Sequence, residues 1–256
     1  MPRTLSEYEN AYANIRMTRS EGILKVELHS NGDSLLWCDA IHRDLADAFY
    51  NIGNDTENRA VILTGLGESF CAESDPNSFQ FDPSVPPVAL DRIYMEGKAF
   101  LQNLLDIRVP VIAAVNGPAR AHSELALLCD IVIASDTADF QDRHLEFGIV
   151  PGDGIHVVYP LVFGLNRGRY AVLTGAKISA HEALQCGAVS EVLPVGELHG
   201  RAMELARSLV QKPILGLRYT KEILTREVHR QLRENLALGL ALEGFASGYG
   251  SWRATT

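Results

Sequence analysis

The residues best suited to moving protons near neutral pH are the histidines, of which the chain has eight, because imidazole alone among unperturbed side chains titrates in that range. His122 lies in Pro118-Ala119-Arg120-Ala121-His122-Ser123-Glu124-Leu125-Ala126 and His144 in Phe140-Gln141-Asp142-Arg143-His144-Leu145-Glu146-Phe147-Gly148, with Asp153 following in Pro151-Gly152-Asp153-Gly154. A neutral histidine whose one N–H is accepted by a carboxylate can deprotonate water with its other nitrogen. Taken one by one, these residues have plainer readings: a loop histidine is ordinarily a surface residue, and Asp153, just ahead of Ile155–Val162, suits a helix N-cap. Other catalytic signatures are missing. There is no G-x-S-x-G elbow, no G-x-x-x-x-G-K-[ST] phosphate loop and no H-E-x-x-H metal helix. Gly65-Leu66-Gly67-Glu68-Ser69-Phe70 opens like a dinucleotide fingerprint but puts Phe70 where the third glycine belongs. Cys38, Cys71, Cys129 and Cys186 have no metal-ligand or C-x-x-C spacing and are expected to be reduced thiols.

The elements that must position these groups follow from periodicity. Asn14–Arg19 and Ile23–Leu28 alternate apolar and polar residues around Ser20-Glu21-Gly22, which predicts an antiparallel hairpin. Cys38–Asn54 carries a helical stripe (Ile41, Leu45, Phe49, Ile52), and Ala60–Gly65, Val109–Val115 and Ile131–Ser135 are continuous apolar runs of buried-strand type. A helix is expected over Leu90–Asp106, and a short one at Ser123–Leu128 with Ser123 near its start. Beyond Gly175 the pattern is helical: His181–Cys186, Glu197–Leu209, Gly216–Arg226 and Gln231–Phe245, with one short strand near Val189–Val192. The last helix is apolar around much of its circumference (Leu232, Leu236, Leu238, Leu240, Leu242, Phe245), which fits either a subunit contact or burial within its own chain.

At 256 residues, 46% hydrophobic, the chain can bury a substantial core. Its net charge of −9 lacks the basic footprint that nucleic acid or an anionic membrane demands. No apolar run reaches the length of a spanning helix and Met1–Glu9 has no signal-like apolar region, so a soluble, cytoplasmic protein is expected.

Three stretches, Val61–Asp75, Val111–Ile133 and Phe140–Gly154 continuing to Gly175, resemble the crotonase, or enoyl-CoA hydratase/isomerase, superfamily. The resemblance implies an α/β fold, a spiral of ββα units, with residues 1–192 forming the core and 193–256 a helical extension for oligomerisation and site closure. It also implies homotrimers or hexamers. In that family, backbone N–H groups of two loops form an oxyanion hole for a thioester enolate. Here the first loop reads Ser69-Phe70-Cys71-Ala72-Glu73-Ser74-Asp75, with Glu73 in place of glycine, and the second has Ala121 and His122 where glycines are expected. His144 stands where the hydratases carry a catalytic glutamate, and Asp153 replaces a small residue; the second hydratase glutamate persists as Glu124.

These departures are similar to the 6-oxocamphor hydrolase type of β-diketone hydrolase, which cleaves a C–C bond by a retro-Claisen reaction. Carried over position by position, the resemblance implies a catalytic set of His144, Asp153, His122 and Glu243, with Trp37 and Phe79 as candidate substrate-binding residues. His144 would activate water, oriented by Asp153. His122 would stabilise the leaving enolate, and Glu243 would orient the water or His144. No metal or organic cofactor is expected, and the partner would be a small diketone converted to a keto acid. Two alternatives remain open: an enoyl-CoA hydratase/isomerase or CoA thioester hydrolase, favoured by Glu124, and a non-catalytic oligomeric scaffold, favoured by the apolar last helix. Glu73, Glu146, His42 and His156 read as solvated, salt-bridged or structural.

Overall fold

A computed structural model describes residues 3–78 and 87–247. The elements in chain order are β1 (Ile15–Ser20), β2 (Ile23–Leu28), β3 (Leu36–Trp37), α1 (Asp39–Asn54), β4 (Ala60–Gly65), β5 (Glu73–Ser74), α2 (Pro87–Leu105), β6 (Val111–Val115), α3 (Glu124–Leu127), β7 (Ile131–Ser135) and β8 (Asp139–Phe140). They continue with a 3₁₀ turn at His144–Phe147 (another, Leu5–Glu7, precedes β1), then α4 (Ile155–Phe163), α5 (Leu165–Thr174), β9 (Ile178–Ser179), α6 (Ala180–Gln185), β10 (Glu191–Leu193), α7 (Val195–Val210) and α8 (Ile214–Ser247). The expected hairpin, the three buried strands and the helices α1, α6 and α7 all form within a residue or two of the boundaries read from periodicity.

The main sheet has the order β1-β2-β4-β6-β7-β10, with β1 antiparallel to β2 and every other pair parallel. Every residue of β4 and β6 is buried, as parallel strands covered on both faces must be. Their side chains divide with a period of two. Val61 and Leu63 join the main core beneath α1 and α2, whereas Ala60, Ile62, Ile112 and Ala114 meet Leu198, Ala202 and Ala206 of α7. A second, discontinuous ladder follows the spiral: β3 pairs with β5, the bridges Cys71–Ala119 and Ala119–Phe140 continue it, and β8 pairs with β9. These fragments bring the loops after β4, β6 and β7 together on one side of the molecule.

Two expectations are corrected. The two terminal helices are one, because α8 runs unbroken from Ile214 to Ser247. Ser123 stands at the start of α3 as expected, but its hydroxyl makes no cap hydrogen bond and meets the buried Tyr159 hydroxyl at 2.9 Å. The N-cap position of α4 is Gly154, with no side-chain cap, so Asp153 is left for another use. The last helix buries Leu232, Leu236 and Leu240 in the chain's own core, as one reading of its apolar surface expects, while Leu238, Leu242 and Phe245 are exposed. No described helix is long and apolar enough to cross a membrane.

Candidate active site

The loop after β6 is rigid before it reaches His122. Asn116 ties the two family loops together, its Oδ1 accepting from Gly65 N–H at 3.1 Å and its Nδ2 donating to the carbonyls of Gly67 and Ser69. Arg120 then grips Asp139 through two N–H groups at 2.7 and 2.5 Å. The backbone N–H groups of Arg120 and Ala121 both donate to the Cys71 carbonyl, at 2.7 and 3.0 Å. Two donors of the loop that resembles an oxyanion hole are therefore consumed within the protein.

His122 itself has φ +56°. It keeps the left-handed backbone that a glycine would adopt freely, at a cost of about 1–3 kcal/mol for a side chain with a Cβ. The surrounding structure holds it there. Trp37 stacks on the imidazole with ring centroids 3.8 Å apart, Phe100 and His42 approach it edge-on, and Glu124 Oε1 lies 2.6 Å from Nδ1. Trp37 is buried; besides stacking on His122 it meets the rings of His42 and Phe100, and it belongs equally to the main core. Phe79 lies outside the described residues.

His144 opens the 3₁₀ turn after β8. Its Nδ1 is 2.5 Å from Asp142 Oδ1 and its Nε2 is 3.2 Å from Asp153 Oδ2. The same Asp153 oxygen is 3.2 Å from His122 Nδ1, so one buried carboxylate sits between both imidazoles. The pairing differs from expectation in one respect: the acid that fixes the far nitrogen of His144 is Asp142, while Asp153 faces the other nitrogen. Asp142 gave no signal in the sequence because an i, i+2 pair meets only in a particular turn. His42, expected to be structural, belongs to the wall behind His122, with Nδ1 3.1 Å from Glu96.

Glu243 arrives from α8 through a close backbone crossing. A Cβ on Gly152 would lie 2.1 Å from the Gly239 carbonyl oxygen and 2.9 Å from the Glu243 Cβ, and one on Gly239 would lie 2.2 Å from the His156 ring. Only glycine at both positions lets the helix settle on the Pro151–Gly154 turn. One nitrogen of His144, one oxygen of Asp153 and one oxygen of Glu243 then lie within 4.8 Å of one another. Asp153 Oδ1 and one oxygen of Glu243 have no partner among the described residues.

Burial and charge set the protonation states. Burial disfavours the imidazolium of His144, but the Asp153 and Asp142 carboxylates outweigh it and raise its pKa well above the usual value. For His122 burial is likewise outweighed, by Glu124 and Asp153. Burial alone would raise Asp153, yet the two imidazoles hold its carboxyl far below the ordinary range. Burial, reinforced by Asp153, pushes Glu243 up to about 8. The expectation of a His144 titrating near neutrality is thus revised: the resting site holds an imidazolium flanked by carboxylates, beside a neutral Glu243.

An acid whose folded pKa is raised costs stability, from nothing below its unfolded value of about 4.5 to a maximum at its folded value. Glu243→Gln is therefore expected to raise Tm by several degrees at pH 8 and by little at pH 5. Thermal unfolding at the two pH values checks this, and an equal gain at both would mean that Glu243 is ionised at rest.

Glu73 and Glu146 behave as expected of solvated acids, both pairing with Arg143 at 2.9 and 3.0 Å.

The enoyl-CoA hydratase/isomerase family model matches residues 18–244. The chain belongs to that family. Its family relatives include the probable peroxisomal enoyl-CoA hydratase 1 of Arabidopsis thaliana, 32% identical over 76% of this chain and 75% of the relative. Another is the 1,2-epoxyphenylacetyl-CoA isomerase of Escherichia coli, 34% identical over 73% of this chain and 72% of the relative. Among solved structures, a β-diketone hydrolase from the cyanobacterium Anabaena sp. PCC 7120, bound to (S)-3-oxocyclohexyl acetic acid, superposes with a TM-score of 0.92 at 48% identity, covering 95% of this chain and 97% of that one. Within the crotonase superfamily, the chain is thus similar to the β-diketone hydrolase type.

Proposed function

We propose that this enzyme hydrolyses a C–C bond of a cyclic β-diketone by a retro-Claisen reaction, giving a keto acid without an organic cofactor. The observation that carries the reading is the convergence of His144, Asp153 and Glu243 around one point, with Asp142 anchoring the far side of His144. A nucleophilic water needs such a set, whereas a thioester enolate would meet two consumed backbone donors and a cluster of carboxylates. The similar Anabaena hydrolase was solved with a ring ketone bearing an acetic acid arm. Rejoining such an acid to the ring carbon beside the ketone and across from the arm regenerates a bicyclic β-diketone, which is the substrate class we assign.

In the reaction, the resting His144 imidazolium first gives up its Nε2 proton to solvent; water held against that nitrogen then gives it a proton as the water oxygen bonds to one carbonyl carbon. The ring bond between this carbon and the carbon shared by the two carbonyls then breaks. Its electron pair passes into the enolate of the second carbonyl, whose oxygen faces the His122 imidazolium, fixed by Trp37 and Glu124. Glu243, neutral at rest, protonates the enolate carbon and regains its proton from His144. Asp153 balances both imidazoliums throughout. The exposed Leu238, Leu242 and Phe245 support packing of α8 against a second copy of the chain, consistent with the expected trimer or hexamer.

The test follows the ultraviolet absorbance of a panel of mono- and bicyclic β-diketones beside crotonyl-CoA. Turnover of bicyclic diketones with release of a keto acid supports the reading; turnover of crotonyl-CoA alone overturns it in favour of hydration.

A further inference from the structure

We infer that the His144–Asp153–Glu243 cluster is a divalent-cation site that takes one zinc-like ion per chain. Zinc bonds to nitrogen and oxygen of about 2.0–2.1 Å put neighbouring ligands of a tetrahedron about 3.3 Å apart. His144 Nε2 and Asp153 Oδ2 already stand 3.2 Å apart, and the Glu243 oxygen completes a set within 4.8 Å. Three protein ligands leave a fourth position open, as in hydrolytic zinc sites.

Two further observations point to a ligand. Asp153 Oδ1 and one oxygen of Glu243, on side chains at least nine-tenths buried, have no partner among the described residues, while Asp153 Oδ2 faces the two imidazoles at 3.2 Å. Buried carboxylate oxygens normally find one. In addition, Asp142 holds His144 Nδ1 at 2.5 Å, which is the carboxylate–histidine support that orients metal-binding imidazoles; the ion displaces the proton that Nε2 carries at rest. The neighbouring trio of His122, Glu124 and Asp153 fits an ion less well. His122 Nδ1 and Glu124 Oε1 are only 2.6 Å apart, a hydrogen-bond distance too short for two ligands of one metal. If the proposed hydrolysis is correct, an ion at His144 Nε2 occupies the attacking water's place and inhibits the enzyme.

Binding is read without substrate, so its failure would leave the hydrolysis reading untouched. Cobalt(II) alone is titrated into the full-length protein, followed by its visible d–d absorption, and then displaced with zinc(II). One tightly bound cobalt per chain is expected. Its Kd should rise at least about tenfold in Glu243→Gln and about 10–100-fold in Asp142→Asn, with folding verified by circular dichroism. Cys186→Ser, which removes an exposed thiol elsewhere, should leave the affinity unchanged. No stoichiometric cobalt spectrum, or one that survives both cluster variants, would overturn the inference.

Discussion

Replacing His144 by glutamine is expected to lower kcat for a bicyclic β-diketone by about a hundred- to ten-thousandfold while KM changes little. That range is what a positioned general base contributes, and a group that acts only in the bond-making step takes little from ground-state binding. Glutamine preserves bulk and a polar end, and the residue is partly exposed on a 3₁₀ turn, so the fold should survive. The pH profile adds a second reading. Because Asp142 and Asp153 raise the His144 pKa well above its usual value, wild-type kcat/KM should climb through the alkaline range as the imidazolium gives up its proton, and the variant should lose that limb. If kcat falls less than tenfold in a folded His144→Gln protein, the base lies elsewhere, with Asp153 the next candidate.

How far the sequence disclosed this arrangement depends on the reach of each signal. Apolar runs such as Val111–Val115 and the stripe of α1 report burial directly, so the main sheet and its covering helices were legible. The two-residue strands β3, β5, β8 and β9 are too short to carry a period. The break expected before Gln231 reflects a polar stretch that periodicity cannot follow. In the structure, Arg230 pairs with Glu227 and Glu234 at helical spacing, which keeps that stretch in α8. His122, His144, Asp153 and Glu243 were found through family positions, and all four come together. Asp142 and His42 were not, since a tight turn and a helix face give them their partners, and neither is visible in residue spacing alone. The strained backbone of His122 is likewise invisible in sequence, yet it shows most directly that a side chain has been placed where a glycine would be cheaper.

Asp153→Asn should have the second large effect, because one oxygen serves both imidazoles at 3.2 Å. A loss of about a hundredfold or more in kcat is expected, as His122 and His144 lose the charge that stabilises their protonated forms when the enolate develops. The diagnostic readout is the position of the pH limb. An opposite charge in contact shifts a pKa by about 1–3 units, so its removal should move the rise in kcat/KM to lower pH by about one unit or more. A merely structural Asp153 would depress activity without moving the limb. Stability gives an independent check of sign. The folded Asp153 pKa lies below the ordinary carboxylate range, so its contribution is present above about pH 4 and is lost as the pH falls. The histidines, with raised pKa values, contribute fully below about pH 6.5 and lose that contribution as the pH climbs through their folded values. The ionic cluster is therefore most stabilising between these limits, and the Tm deficit of Asp153→Asn relative to wild type should be largest near pH 5–6 and shrink on either side. A deficit independent of pH would mean that Asp153 is neutral in the fold and that the two imidazoles are not charged against it.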